Sequence, residues 1–184
     1  MKIISQLIPD ILVIKPSYIE DKRGYFAETF RLDLLEKAVG SKIDFVQENE
    51  SQSSYGVLRG LHYQLPPCSQ AKLVRVSQGR VLDVAVDIRK ASSNFGKYVA
   101  VELSAENKLQ LFIPRGFAHG FVVLSDRATF NYKVDNYYSP NHDRGIAFDD
   151  KKIGINWKLP LSECQLSDKD KSHPSLDDAT SLFV

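Results

Sequence analysis

Residues 81–88, VLDVAVDI, alternate in character: Leu82, Val84, Val86 and Ile88 fall on one face, Asp83 and Asp87 on the other. A period of two over this length predicts a half-buried strand. The run before it, KLVRV (72–76), connects through Ser77-Gln78-Gly79-Arg80, which reads as a glycine-containing hairpin turn. YVAVEL (98–103) and LQLFIP (109–114) repeat the design around a turn from Ser104 to Lys108. GFVVLS (120–125) and TFNYKV (129–134) repeat it around Asp126-Arg127-Ala128. Short strands at this spacing predict a β-sandwich or barrel. One helix is expected over 31–39, with Leu32, Leu35 and Val39 on one face and Gly40 placed to end it. Pro66-Pro67, Pro114-Arg115-Gly116 and Tyr137-Tyr138-Ser139-Pro140 mark places where ladders stop, because proline cannot donate to a sheet. Patterning weakens after Asp149, and no repeat or shift in composition divides the chain, so residues 1–184 read as one domain.

Composition narrows the partners. Apolar residues make up 43% of the chain and charged residues 26%, with a net charge of +1. That is a globular balance, and no basic stretch provides the electrostatic footprint of a nucleic-acid binder. The N-terminal apolar residues are interrupted by Pro9, Asp10 and Lys15, so no signal peptide is expected. No segment approaches the roughly 18 uninterrupted apolar residues of a membrane helix. The chain is therefore expected to be cytoplasmic and to have no membrane partner. Cys68 and Cys164 form neither a CxxC pair nor a disulfide framework and read as free thiols.

Four histidines, His62, His119, His142 and His173, raise the question of a metal. Metal sites on one strand favour an HxH pair or similarly close spacing, whereas His62 stands between Leu61 and Tyr63. No carboxylate lies at close spacing to His62 or His119, so no metal is expected. Dinucleotide, phosphate-loop and nucleophile-elbow motifs are also absent, which leaves acid–base chemistry. A histidine is the natural proton acceptor near neutral pH. Tyr132 shares a face with Phe130 and Val134. It is either a core tyrosine satisfied by backbone or a proton donor. Lys72 shares a face with Val74 and Val76. It is either a strand-end lysine reaching solvent or a buried cation with a task.

Read together, ENESQSSYGVLRGLHYQLPP (48–67), KLVRVSQGRVLDVAVDIR (72–89), QLFIPRGFAHGFVVLS (110–125) and LSDKD (166–170) closely resemble the dTDP-4-dehydrorhamnose 3,5-epimerase family. DKRGYFAETF (21–30) and GINWKLP (154–160) match it in the same order, and the resemblance runs from about Ile14 to Leu176. It implies an all-β, cupin-type double-stranded β-helix (jelly roll) with a few short peripheral helices. It also implies a homodimer, no metal and no cofactor. The implied substrate is a dTDP-4-keto-6-deoxyhexose, epimerised at C3 and C5 on the way to activated L-rhamnose. The implied base is His62, its orienting carboxylate Asp170, its proton donor Tyr132, and the group near the keto oxygen Lys72. Positions implied to contact substrate are Arg23, Glu28, Gln47, Asn49, Arg59, His119, Asp143 and Lys169. Glu48 and Asp143 depart from the residues common in the family, Asp and Glu respectively. A 3-epimerase of another 4-keto nucleotide sugar and a non-catalytic sugar-binding cupin are the alternative readings.

Overall fold

The computed structural model describes residues 2–6, 8 and 10–183, so Pro9, read above as interrupting the N-terminal apolar run, lies outside the described residues. In chain order the elements are β1 (Lys2–Gln6), β2 (Leu12–Lys15), β3 (Ser17–Asp21), β4 (Gly24–Glu28), α1 (Leu32–Val39), β5 (Gln47–Ser54), β6 (Leu58–Gln64) and β7 (Lys72–Gln78). They continue with β8 (Arg80–Asp87), β9 (Tyr98–Ser104), β10 (Gln110–Ile113), β11 (Phe117–Val123), β12 (Arg127–Val134), β13 (Asp143–Gly145) and α2 (Asp168–Lys171). A six-stranded sheet has the order β1-β2-β10-β7-β12-β5, and a five-stranded sheet the order β13-β6-β11-β8-β9.

The three turns expected to close hairpins instead carry the chain from one sheet to the other, between β7 and β8, β9 and β10, and β11 and β12. The reason is burial. Each flanking strand has an apolar face, and crossing to a facing sheet buries both faces against each other. Gly79, at φ 72, sits at one of these corners, where a Cβ would stand 2.0 Å from the Arg127 carbonyl oxygen. Two antiparallel sheets joined at such corners form the cupin-type jelly roll that the resemblance implies.

Val74, Val76, Leu111 and Phe130 of one sheet pack against Val81, Ala85, Phe121 and Val123 of the other. On the outer face of the five-stranded sheet, Leu82, Val84, Val86 and Ile88 pack under Ile146, Ile153, Trp157 and Leu176. The weakly patterned C-terminal segment is thus a lid over this sheet. Consequently β8 is buried on both faces, and Asp83 and Asp87, expected on a solvated face, are 0% exposed. The alternation in 81–88 is real, but its aspartate side looks into the protein.

Helix α1 covers the other sheet, with Leu35 packed beside Leu73 and Phe112, and ends at Gly40 in the left-handed conformation. Leu32, expected on the same apolar face, is exposed at the first helical position. β3 and β4 pair only with each other and leave Ile19 74% and Phe26 73% exposed. No helix among the described residues is long and apolar enough to cross a membrane. Cys68 and Cys164 are free thiols.

Candidate active site

A cavity of about 470 Å³ is lined by residues of both sheets. On the five-stranded side, β6 presents its side chains through a bulge. His62 pairs with His119 and Arg59 with Phe121, so that Gly60 and Leu61 of β6 stand opposite Gly120 of β11 alone. In a regular strand, residues three apart point to opposite faces; the extra residue resets the pleat, so Arg59 and His62 share the cavity. Gly60 and Gly120 allow the backbones to meet, since a Cβ on Gly60 would stand 2.6 Å from the Gly120 Cα.

His62 Nε2–H donates to Asp170 Oδ1 at 2.5 Å. This carboxylate arrives 108 residues later in the chain, on the four-residue helix α2, whose first turn is capped by Ser167 Oγ accepting from the Asp170 N–H. Burial alone raises the Asp170 carboxyl, but its contacts with His62, Ser167 and His173 outweigh that and hold it below the ordinary value. A second imidazole–carboxylate pair stands beside the first. His119 Nε2–H donates to Asp83 Oδ2 at 2.9 Å, with His119 6% and Asp83 0% exposed. Burial pushes the His119 imidazole down, against the opposing pull of Asp83. Neither carboxylate is close in sequence to its histidine; both are close in space.

The six-stranded side supplies Lys72, Tyr132, Asn49 and Gln47. Tyr132 pairs in register with Val74 of β7 and Asn49 of β5, and burial pushes its phenol up. Lys72 lies on the Val74 face at the start of β7. Desolvation brings its ammonium down to about 8, with Asp83 and Asp143 only partly opposing. At the cavity wall, Asp143 Oδ2 accepts hydrogen bonds from Lys169 Nζ and from the Tyr138 hydroxyl. Burial lowers Lys169, but its contacts with Asp143 win and hold it above the ordinary range.

The structure therefore brings Gln47, Asn49, Arg59, His62, Lys72, His119, Tyr132, Asp143, Lys169 and Asp170 to one cavity. Arg23 and Glu28 do not line it. They lie on the projecting β3–β4 hairpin, where Arg23 donates to Asp21 at 2.6 Å and Glu28 stands 3.6 Å from Arg31. Sequence reasoning missed Asp83, Gln64, Gln70 and Tyr138. For Asp83 a signal existed: its side of the strand reads Val81, Asp83, Ala85, Asp87, half apolar and so poorly suited to water.

Among the described residues, one group of potential metal ligands has its donor atoms within 4.8 Å of one another: His62, Asp170 and His173. The 2.5 Å separation of His62 Nε2 and Asp170 Oδ1 is a short hydrogen-bonding distance, below the roughly 2.7–2.9 Å of charge-assisted N–H···O bonds. Donors around a tetrahedral zinc, each about 2.1 Å from the ion, stand roughly 3.4 Å apart. The pair is spaced to share a proton.

Fixed imidazole–carboxylate pairs on one wall, with a half-buried phenol and an easily deprotonated ammonium on the other, have the makings of an acid–base site on a jelly roll, the design of a proton-transferring isomerase. The chain belongs to the dTDP-4-dehydrorhamnose 3,5-epimerase family, whose model matches residues 5–178. It is 55% identical to the Shigella flexneri dTDP-4-dehydrorhamnose 3,5-epimerase over 179 residues, covering 97% of this chain and 98% of that one. The crystal structure of the Elizabethkingia anophelis dTDP-4-dehydrorhamnose 3,5-epimerase superposes with a TM-score of 0.93 at 49% identity, covering 97% of this chain and 98% of that one. The Legionella pneumophila dTDP-6-deoxy-D-glucose-3,5-epimerase, solved in complex with dTDP-4-keto-L-rhamnose, superposes with a TM-score of 0.93 at 46% identity, covering 97% and 94%.

Proposed function

We propose that this chain inverts C3 and C5 of dTDP-4-dehydro-6-deoxy-D-glucose, giving dTDP-4-dehydro-L-rhamnose, as a single-domain, cofactor-free cytoplasmic enzyme of dTDP-L-rhamnose biosynthesis. The observation that carries the reading is His62 of one sheet, hydrogen-bonded to Asp170 of α2, and Tyr132 of the other sheet, lining the same cavity. The sugar bound to the Legionella relative supports the choice of substrate.

C3 and C5 both flank the C4 carbonyl, so removing a proton from either yields an enolate with its charge on the same oxygen. Asp170 engages Nε2–H and leaves Nδ1 of His62 as the proton acceptor; the carboxylate then stabilises the imidazolium that forms. A positioned base of this kind contributes on the order of 10²–10⁴-fold. Lys72, with Arg59 and His119 nearby, is assigned to the C4 oxygen, where preorganised positive charge acts in a partly desolvated site. Tyr132 returns the proton from the opposite face, which is what makes the outcome an inversion. Gln47, Asn49, Asp143 and Lys169 are assigned to holding the nucleotide sugar, with Arg59 and Lys169 suited to its diphosphate.

Arg23 and Glu28 fit this reading if the enzyme works as a homodimer. The exposed Ile19 and Phe26 of their hairpin favour a partner surface, and from there both residues would serve the second subunit's substrate. The test of function is turnover of the 4-keto sugar in D₂O, followed by NMR. Deuterium at both C3 and C5 in an L-rhamno product supports the proposal. Deuterium at C3 alone would make the enzyme a 3-epimerase, and none at either carbon would overturn the reaction.

A further inference from the structure

His173 carries no part of the chemistry above, yet it is built into the same cluster. Its side chain is 8% exposed, and its ring lies on Gly145, where a Cβ would come 2.3 Å from Nε2. Gly145 is the register partner of His62. The two imidazoles meet edge to face, with centroids 5.5 Å apart and planes at 83°. His173 Nε2 lies 3.5 Å from Asp170 Oδ1, the same oxygen that accepts from His62. It is buried and makes no hydrogen bond. A buried ring nitrogen without a partner is costly, and the carboxylate selects the tautomer that points N–H toward it.

We propose that His173 is a positioning residue that shares the Asp170 carboxylate with His62 and so sets the pH at which His62 takes up a proton. The proposal rests on His62 as the base. An oxygen that a second N–H approaches is a weaker partner for the His62 imidazolium than one reserved for it. Lys169 and Asp143 also face His173, and His119 and Lys72 line the cavity beside His62. Burial and the nearby His62 hold His173 itself below the ordinary histidine value, which keeps it neutral, with its Nε2 3.5 Å from the shared oxygen and no hydrogen bond closed. Removing its N–H therefore returns the full carboxylate to His62.

The test uses His173→Phe, which keeps a ring but no N–H, and His173→Gln, which keeps an N–H near the Nε2 position. The readouts are the histidine NMR titration of substrate-free protein and the pH profile of kcat/KM. In His173→Phe the His62 midpoint and the acid limb should both move up by about half to one pH unit, while His173→Gln stays close to the parent. Superposable His62 titrations in the parent and His173→Phe would overturn the proposal, as would equal shifts in both variants, which signal packing alone. Independently of any variant, ¹⁵N shifts of the parent must show a protonated His173 Nε2; an unprotonated one also overturns it. If the titration behaves as expected but the parent exchanges no solvent deuterium into the sugar, positioning stands and the base assignment fails.

Discussion

Lys72→Met separates what this residue does for catalysis from what it costs the fold. Desolvation lowers the Lys72 ammonium from 10.5 to about 8. At about 1.4 kcal/mol per pH unit, that drop corresponds to roughly 3 kcal/mol of penalty for holding the charge in the folded protein. Methionine fills a similar volume and carries no charge. Lys72 keeps some exposure, so the recoverable part is about 1–3 kcal/mol, or several degrees in Tm for a chain of this size. The sign is fixed by linkage. A lysine whose folded value lies below its unfolded value destabilises the fold fully below pH 8, and the penalty fades between pH 8 and 10.5. The variant should therefore melt higher than the parent at pH 7, with the gap closing by pH 10. Turnover should fall on the order of 10²–10³-fold through loss of charge at the C4 oxygen. Melts at equal protein concentration at the two pH values, with kcat at pH 7, make the assay. A lower Tm at pH 7 or a gap that persists at pH 10 would contradict a desolvated Lys72 charge, and an unchanged kcat would contradict its role at the C4 oxygen.

Asp170→Asn should lower kcat on the order of 10²–10⁴-fold while dTDP binding, read by calorimetry, stays near the parent value. Tyr132→Phe should let solvent deuterium exchange into the sugar continue while inversion is impaired, which NMR of recovered substrate and product separates. Phe26→Asp, at a site 73% exposed in the single chain, should shift the sedimentation equilibrium toward monomer. On the proposed homodimer, it should also lower kcat/KM, because Arg23 and Glu28 would no longer reach the second subunit's substrate.

Much of the fold was legible in local pattern, because strand alternation and the Gly40 stop are local properties. What pattern could not supply was the partner of each strand. A turn such as Ser104 to Lys108 is equally compatible with a hairpin and with a corner between sheets, and the choice rests on which distant surface buries the apolar faces. The same limit hid Asp83: burial on both sides of β8 depends on Trp157 and Leu176, which lie in a segment with little periodicity. At the site, Tyr132 and Lys72 were legible as polar groups on apolar faces. His62 and Asp170 became a pair only through the resemblance, since 108 residues separate them. Arg59 and His62 share a cavity through a bulge made by Gly60 and Gly120, a contact between backbones that no side-chain pattern announces.

The role proposed for His62 is removal of the carbon-bound protons. The direct measurement is the initial rate of solvent deuterium incorporation into dTDP-4-dehydro-6-deoxy-D-glucose by the parent and by His62→Ala, with dTDP affinity measured alongside to show that the site is intact. With His62 as the base, deuterium enters C3 and C5 in the parent, and incorporation falls on the order of 10²–10⁴-fold at both positions in the variant. Incorporation by His62→Ala at the parental rate would contradict it.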